Sequence, residues 1–423
     1  MGAAADPLTI VILVDHANVT GGQAKVAFDS ARGLLGAGHR PILFTSAGPV
    51  SDDLKASGLE VICLDQPDLV SNPSKLEAAV QGFWNFRAVA ALAKLLRECP
   101  PDNTIVHVHG WAKSLSPAIA KPIRESGFPA IYTIHEYFLF CPNGGFYDYQ
   151  EGRMCERTPL SGACWKAHCD SQSYGRKLWR NARLAFARSM LGFPDVFSDY
   201  VCISALQAGI VRPYLPEGAA VHAVANPIAV DDLGPKTDAA QGDFAFVARV
   251  SPEKGPLLFA QAARLAGVTP LFVGDGPQGA RLRAEFPEAR VTGWVKPEEA
   301  RAALRAARAL VFPSHWVEGQ PLAVLEAKAL GTPVIVSDVC AGREEIVDGQ
   351  MGLWFKSGDA QDLARALSAM KDDARVRRMS ANAHQAYWRA PPTLDAHVAK
   401  IEAIYCAMLA RRAATATIPL SLR

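Results

Sequence analysis

The sequence predicts an α/β protein that contains two doubly wound parallel sheets. Short apolar runs typical of buried strands, beginning with residues 9–14, alternate with segments of helical periodicity along the chain. The length of 423 residues exceeds what one hydrophobic core usually supports, which favours two domains. A polar stretch rich in Pro and Gly, residues 231–243, is typical of a linker. We therefore expect an N-terminal domain over residues 1–228 and a C-terminal domain over residues 240–385.

Composition and charge exclude several classes of function. The 49% hydrophobic and 20% charged residues are values of a globular protein, and a net charge of +2 does not indicate nucleic-acid binding. Asp6 stands where a signal peptide would carry a cation, and no apolar run is long enough to cross a bilayer. Asp6 also leaves Gly2 outside a myristoylation motif. We expect a cytoplasmic protein.

The first predicted strand ends in a loop that contains two adjacent glycines, Gly21 and Gly22. A helix is expected after it, from about Lys25 to Gly36. Glycine lets the backbone approach a ligand closely, although a tight turn would explain the pair equally well. Because open parallel sheets bind ligands at the carboxyl ends of their strands, this loop is a candidate site.

Three histidines lie near the ends of two predicted strands. His107 and His109 flank Val108 and face the same side of one strand, but two imidazoles without a third ligand do not indicate a metal site. His135 directly follows the strand over residues 131–134. It is a candidate site residue, and packing is an equally good explanation.

One irregular segment, residues 141–169, contains four cysteines: Cys141, Cys155, Cys164 and Cys169. Stable disulfides are not expected in a cytoplasmic protein. Four thiolates, with His168 as an alternative ligand, would suit a structural zinc ion, but the spacing lacks paired Cys-x2-Cys units. Reduced thiols without a metal are the third alternative.

Residues 174–190 combine helical periodicity with five cations: Arg176, Lys177, Arg180, Arg183 and Arg188. Apolar residues such as Trp179 and Phe186 are interspersed among them. This pattern is typical either of a solvated surface helix or of a helix that docks on anionic lipid. The second alternative would suit a lipid-linked acceptor and a peripheral position at the inner face of the membrane.

Two cations, Arg249 and Lys254, occupy a predicted loop at a strand end, where they favour binding of a diphosphate over a pair of exposed charges. Further on, residues 274–279 fit the pattern G-x-G-x-x-G of dinucleotide-binding folds. That motif requires an acidic residue at the end of the next strand, which here ends in Gly293 and Trp294. A nicotinamide or flavin cofactor is therefore not expected.

Residues 312–336 carry two glutamates in a strand, loop, helix and strand arrangement. Glu318 lies in the loop, and Glu326 lies on the mostly apolar helix 322–330, which Gly331 terminates. A carboxylate in such surroundings needs a partner. Eight helical residues span about 12 Å, which exceeds the roughly 5–9.5 Å between the carboxyls of a glycosidase. The pair therefore does not favour a hydrolase.

The sequence EGQPLAVLEAKALGTPVI, residues 318–335, resembles the glutamate-x7-glutamate signature of family 4 of the retaining nucleotide-sugar glycosyltransferases. That family has the GT-B fold, in which two Rossmann-like domains face a central cleft. The resemblance implies that Glu318 and the residues after it hold the donor sugar, with Glu318 as a catalytic residue, and that Glu326 holds the ribose. It assigns further donor contacts to Gly319, Gln320, Pro321 and Leu322.

The resemblance extends to loops at other strand ends. It implies that Arg249 and Lys254 bind the donor pyrophosphate, and that Gly22 lies between the donor phosphate and the acceptor. It implies a catalytic role beside the donor sugar for His135. Two glycines are expected near the donor nucleotide, Gly274 and Gly276.

The same resemblance bears on the remaining segments. Some members of the family have a similar cysteine-bearing insertion after the histidine, which leaves the choice between metal and free thiols open. In GT-B folds the final helix returns to the first domain, and residues 386–412 are expected to form that helical region.

The function implied is transfer of a sugar from a UDP-, GDP- or ADP-sugar to a hydroxyl of a sugar or lipid-linked acceptor, with retention at the anomeric carbon. Polysaccharide or glycolipid assembly in a bacterium is the implied setting. No Asp-x-Asp motif occurs in the chain, so a divalent metal is not required for catalysis. A GT-B epimerase, a non-catalytic nucleotide-sugar-binding protein and a dinucleotide oxidoreductase are the alternatives.

Overall fold

The computed structural model describes residues 7–416, which form two parallel β-sheets flanked by helices. Gly2 and Asp6, on which the expectations about targeting rest, lie outside this range. The α/β class predicted from the alternating pattern is confirmed, because strands and helices succeed one another along both halves of the chain.

The first sheet has seven parallel strands in the order β3-β2-β1-β4-β5-β8-β9. Its strands are β1 (Thr9–Leu13), β2 (Arg40–Ala47), β3 (Glu60–Gln66), β4 (Thr104–Val108), β5 (Ala130–Ile134), β8 (Asp199–Cys202) and β9 (Ala220–Ala223). The α-helices of this half are α1 (Gly22–Gly36), α2 (Asp52–Lys55), α3 (Lys75–Phe83), α4 (Phe86–Glu98), α5 (Ala120–Ser126), α6 (Gly162–Lys166), α7 (Tyr174–Leu191) and α8 (Ala205–Val211). Two 3-10 helices accompany them, η1 (Pro117–Ile119) and η2 (Arg212–Tyr214).

The cysteine-bearing insertion, residues 141–169, separates β5 from α7. It contains helix α6 and a short antiparallel hairpin of β6 (Tyr147–Asp148) and β7 (Arg153–Met154). Most of it is irregular, yet Cys141, Cys164 and Cys169 are buried. These three cysteines therefore anchor the insertion to the protein, while much of residues 150–168 remains exposed.

The second sheet has six parallel strands in the order β12-β11-β10-β13-β14-β15. Its strands are β10 (Phe244–Val247), β11 (Pro270–Val273), β12 (Arg290–Val291), β13 (Ala309–Phe312), β14 (Val334–Ser337) and β15 (Gly352–Phe355). The helices of this half and of the chain end are η3 (Pro252–Lys254), α9 (Pro256–Ala266), α10 (Gly279–Glu285), α11 (Pro297–Ala306), α12 (Leu322–Ala329), η4 (Ala341–Glu345), α13 (Ala360–Ala369), α14 (Asp373–Arg389) and α15 (Leu394–Ala416).

Helix α15 returns to the first half of the chain and completes its core. Val398 and Ile401 share a buried apolar cluster with Ile10 and Phe28. The hydroxyl of Tyr405, also in that cluster, lies 2.6 Å from Nδ1 of His107. The last described helix is therefore part of the first hydrophobic core, although the second sheet precedes it in sequence.

No helix within residues 7–416 combines the length and the apolar character that crossing a bilayer would require.

The close packing of α15 on α1 predicts an asymmetry between two glycines of α1. A Cβ atom added to Gly33 would lie 2.4 Å from Cγ2 of Val398, whereas one added to Gly36 would meet nothing within 4 Å. We expect Gly33→Ala to destabilise the protein by about 1–3 kcal/mol through overpacking. The matched variant Gly36→Ala should be neutral or slightly stabilising, because alanine is the better helix former. Thermal unfolding followed by circular dichroism measures both, and equal melting temperatures would contradict the described packing.

Candidate active site

The two halves of the chain meet at the loop between β13 and α12, residues 313–321, called the β13–α12 loop below. Gly319 of this loop approaches α8 of the first half. A Cβ atom on Gly319 would lie 2.8 Å from side-chain atoms of both Ile203 and Gln207. Glycine at this position therefore permits the close approach of the two halves.

The carboxylate of Glu318 is buried in this loop, and one of its oxygens has two partners. Its residue is 9% exposed, and Oε1 accepts a hydrogen bond of 2.9 Å from Oγ of Ser314. The same oxygen accepts a hydrogen bond from Nζ of Lys254, which also forms an ion pair with it. The ammonium group of Lys254 lies 5.4 Å from the ring centroid of Trp316. Glu318 and Lys254 are thus in direct contact, although the resemblance assigns Glu318 to the donor sugar and Lys254 to the donor pyrophosphate.

Helix α12 begins immediately after this loop without a side-chain cap. Pro321 is the N-cap residue and cannot supply a hydrogen-bonding side chain. The side-chain oxygen of Gln320 accepts a hydrogen bond of 2.7 Å from the backbone N–H of Asn226 in the first half. Because the first amides of a helix have no partner within the helix, the uncapped start at Leu322 suits an anion or a hydroxyl group.

Glu326 lies in the second turn of α12 and is half-buried. Its carboxylate forms no hydrogen bond or ion pair with another residue in the range 7–416. Burial raises the pKa of Glu326, and the positive charges of Arg301 and Lys25 oppose that rise. Lys25 belongs to α1 of the first half, so the carboxylate lies within electrostatic range of both sides. An unpaired, half-buried carboxylate is poised to accept hydrogen bonds from a ligand.

The loops after β10 and β11 pack against each other, and two glycines permit this. A Cβ atom on Gly274 would lie 2.1 Å from the carbonyl oxygen of Ala248, and one on Gly276 would lie 2.5 Å from that of Val250. Arg249 lies between these contacts and is exposed. Its carbonyl oxygen accepts hydrogen bonds from Ser251, but its guanidinium group forms no hydrogen bond or ion pair with another residue in the range 7–416. The glycines thus hold an unpaired guanidinium group at this edge of the sheet.

The two glycines at the start of α1, Gly21 and Gly22, are not required by packing. A Cβ atom on Gly21 would meet nothing within 4 Å, and one on Gly22 would make an ordinary contact of 3.9 Å with Leu322. Gly22 therefore faces the start of α12 from the other half of the chain. The open space around both residues leaves the backbone accessible to a ligand.

Three histidines in and directly after β4 and β5 form a group at this edge of the first sheet, with His107 and His109 buried and His135 half-buried. His109 Nδ1 and His135 Nε2 are 3.0 Å apart, within hydrogen-bond distance. Nε2 of His107 lies 2.7 Å from Oγ1 of Thr133. Burial lowers the pKa of His107 and of His135 to about 3, and that of His109 well below its usual value. All three imidazoles are therefore neutral at physiological pH, and His135 can exchange hydrogen bonds with a ligand without carrying charge.

A further pair at this edge was not singled out by the sequence. His16, just after β1, places Nε2 3.0 Å from Oδ2 of Asp68, and its Nδ1 lies 3.5 Å from Oγ1 of Thr20. Burial alone would raise the pKa of Asp68, but hydrogen bonds from His16 and from Ser71 lower it to about 2. The pair joins residues 52 positions apart, and no local motif marks it.

Within residues 7–416 no cluster of side chains is arranged to hold a metal ion. This includes the four cysteines of the insertion, Cys141, Cys155, Cys164 and Cys169. The ammonium of Lys177, which is 1% exposed, lies 3.4 Å from Sγ of Cys164 and also hydrogen-bonds Cys169. Burial alone would lower the pKa of Lys177, but the attraction of the two thiols raises it. A buried cation already lies among the sulfur atoms and would repel a metal ion. The structure therefore does not support the predicted zinc site, including His168 as an alternative ligand.

The basic helix predicted over residues 174–190 exists as α7, but it does not present a basic face. Arg183 lies 6% exposed against the rings of Trp111 and Trp179, and Arg180 pairs with Asp170 at 2.9 Å. Arg188 and Lys177 also have protein partners. The structure therefore does not support a lipid-docking surface on this helix, because four of its five cations pack or pair within the first half.

Two family profiles match the chain. "Glycosyl transferases group 1" matches residues 235–386, and "Glycosyltransferase Family 4" matches residues 20–191. The glycogen synthase of Mycobacterium tuberculosis is 32% identical over 399 residues, which cover 86% of this chain and 86% of the enzyme. The UDP-Gal:alpha-D-GlcNAc-diphosphoundecaprenol alpha-1,3-galactosyltransferase of Escherichia coli is 28% identical over 200 residues, or 43% of this chain. The chain spans about half of that relative, 51% of its length.

Solved structures with the same fold cover nearly the whole chain. Anabaena Alr3699/HepE in complex with UDP and glucose has a TM-score of 0.66 at 15% identity, covering 95% of this chain and 100% of its own. The sucrose-phosphate synthase of Thermosynechococcus elongatus has a TM-score of 0.66 at 19% identity, covering 96% and 100%. These similarities confirm the predicted GT-B fold.

The buried histidines predict how stability depends on pH. The unfolded imidazole of His107 titrates near 6.5, whereas its folded pKa is about 3. Protonation therefore favours unfolding, so its contribution to stability is complete above about pH 6.5 and is lost as the pH falls towards 3. We expect a slope of about 1.4 kcal/mol per pH unit from this group. Urea unfolding between pH 4.5 and 7 measures the slope, and His107→Gln should reduce it. An unchanged slope in that variant would show that His107 is not the group titrating.

The cluster of thiols around Lys177 predicts that the insertion needs no metal. Purified protein should contain no stoichiometric zinc by elemental analysis, and EDTA should leave its melting temperature unchanged. Zinc at one equivalent per chain, together with unfolding by EDTA, would contradict the contact between Lys177 and Cys164.

Proposed function

We propose a retaining glycosyl transfer for this chain, which belongs to family 4 of the GT-B glycosyltransferases. A sugar moves from a nucleotide-sugar donor to a hydroxyl of a sugar or lipid-linked acceptor. The observation that carries the proposal is the pair of glutamates at α12: Glu318 buried and paired before the helix, and Glu326 unpaired within it. Between them lies an uncapped helix start that suits hydroxyl and phosphate oxygens.

The charges around this helix suit the three parts of the donor. Arg249 and Lys254 would bind the diphosphate, because guanidinium and ammonium groups form strong charge-assisted hydrogen bonds with phosphate oxygens. Glu326 would accept hydrogen bonds from the ribose hydroxyls. Glu318 would hold the donor sugar, with the backbone of Gly319 and of the residues after it. These further contacts are assigned to Gln320, Pro321 and Leu322, and to Gly274 and Gly276 beside the nucleotide.

In the transfer step the bond between the anomeric carbon and the diphosphate oxygen breaks, and the acceptor oxygen bonds to the same face of that carbon. The acceptor proton passes to the departing phosphate oxygen. Arg249 and Lys254 would stabilise the negative charge that develops on the diphosphate, so no divalent metal is needed for this. Neutral His135 would hydrogen-bond the donor sugar, and Gly22 would face the phosphate from the other side. Contact between the two halves would exclude water and limit hydrolysis of the donor.

The relatives direct the choice of substrates to test. One uses a UDP-sugar and an undecaprenol-diphosphate acceptor by its name, and a solved structure with the same fold contains UDP. We therefore propose a UDP-sugar as the first donor to examine, ahead of GDP- and ADP-sugars, and a role in bacterial polysaccharide or glycolipid assembly at the cytoplasmic side of the membrane.

Calorimetry with UDP, GDP, ADP and their common sugars tests the donor site. We expect one nucleotide to bind, and Glu326→Gln or Arg249→Ala to weaken it by about 10- to 100-fold, as expected for loss of a charged hydrogen bond. The matched control Arg378→Ala changes an exposed arginine of α14 and should bind as the parent does. With the donor so identified, the anomeric configuration of the product by NMR tests retention. Absence of nucleotide binding, or an inverted product, would overturn the proposal.

A further inference from the structure

The cysteine-bearing insertion of the first half reaches across the cleft to the β13–α12 loop of the second half. The backbone of Gly145 lies against the indole ring of Trp316, so that a Cβ atom on Gly145 would be 2.8 Å and 2.9 Å from two ring carbons. Trp316 precedes Glu318 by two residues. The insertion therefore touches the loop that carries the paired carboxylate.

A second contact follows along the same loop. Val317, which is 3% exposed, belongs to the buried apolar cluster of the first half that also contains Tyr137, Cys141 and Phe146. A residue of the second half thus completes a core that the insertion helps to form. Two consecutive residues, Trp316 and Val317, hold the loop against the insertion immediately before Glu318.

Trp316 is also connected to the charged pair. Its backbone carbonyl accepts a hydrogen bond of 3.0 Å from the N–H of Glu318, and its ring lies 5.4 Å from the ammonium of Lys254. A shift of the indole ring would therefore move the carboxylate and the ammonium together. The contact with Gly145 fixes the position of that ring from the opposite half.

The insertion is itself held in place by several hydrogen bonds. The N–H of Tyr137 donates to the carbonyl of Gly144, and the N–H of Cys155 donates to that of Phe146. Asn143 donates to Sγ of Cys169 at 3.3 Å, inside the group of thiols around Lys177. These bonds border Gly145 on both sides, so its backbone is a fixed surface for Trp316.

We propose that the cysteine-bearing insertion is a positioning element for the transfer reaction, acting through the contact of Gly145 with Trp316 and through the apolar cluster that Phe146 shares with Val317. It sets the place of the Glu318 carboxylate relative to the donor sugar. The inference rests on the donor role proposed for Glu318. It explains why the irregular insertion packs tightly around Lys177 without a metal ion: its task is to present a rigid surface to the opposite half.

A pair of matched glycine variants tests this role. Gly145→Ala would place a methyl group against the Trp316 ring, whereas Gly162→Ala, in the same insertion, would meet nothing within 4 Å. We expect Gly145→Ala to lower kcat by about 10- to 100-fold, the scale of a small misplacement of a catalytic group. The Kd for UDP should rise by less than kcat falls, because Arg249 and Glu326 are not in contact with this ring, and Gly162→Ala should behave as the parent protein.

A second variant that removes the clash between the added methyl group and the Trp316 ring distinguishes a loss of positioning from a general loss of folded structure. Combining Gly145→Ala with Trp316→Phe provides room for the methyl group, and kcat should recover towards that of Trp316→Phe alone. If Gly145→Ala does not fold, Val317→Ala offers a second route: it removes packing from the same contact and should also lower kcat while UDP binding persists. Full kcat in a folded Gly145→Ala or Val317→Ala protein would overturn the inference.

Glu318→Gln distinguishes failure of this inference from failure of the proposed function. If Glu318→Gln abolishes transfer while Gly145→Ala has no effect, the donor role stands and the positioning role does not. If Glu318→Gln transfers sugar at the parental rate, the donor role itself is wrong, and positioning through Glu318 falls with it.

Discussion

A charge removed from water must find a partner, and this requirement on Glu318 organises the cleft. Its carboxylate is paired by Lys254 and Ser314, which come from loops after β10 and β13. Those strands are neighbours in the second sheet, so their carboxyl ends bring the three groups together. Losing one partner of a buried ion pair typically costs about 3–5 kcal/mol, which makes this arrangement hard to replace. The parallel order of the sheet is thus what makes a buried carboxylate tolerable at this edge.

The cleft combines two kinds of polar groups with different tasks. Lys254 and Glu318 neutralise each other, whereas Arg249 and Glu326 lack protein partners among residues 7–416. The first pair is held in one position by its own contact, and the second pair has no protein partner to give up when a ligand with phosphates and hydroxyls binds. On the first half, burial keeps the histidines neutral, so they add no competing charge. Some polar side chains of the cleft thus have hydrogen-bond partners within the protein, and others have none. This combination suits a ligand that must bind, react and leave.

The sequence predicted those features that depend on local pattern. Alternating strands and helices indicated the α/β fold, and the spacing of Glu318 and Glu326 marked the helix on which the candidate site is built. Contacts between distant residues had no such signal: the pairing of Glu318 with Lys254, and of His16 with Asp68, emerges only when strands are ordered in a sheet. A zinc site at the cysteines and a lipid-docking face on α7 both lack support in the structure for one reason. Periodicity gives the spacing of charges on a helix but not which face is buried, and Lys177 turned inward among the thiols.

The return of α15 to the first half also has a consequence for how the protein is made. The ribosome releases the first sheet long before the residues of α15, including Ile401 and Tyr405, that cover one of its faces. Until then that apolar face is exposed while the second sheet is still being synthesised. We expect the nascent first half to need chaperones that cover this exposed apolar face until translation ends, because such a surface otherwise promotes aggregation. The order of the chain thus makes the earliest part of the protein the last to become complete.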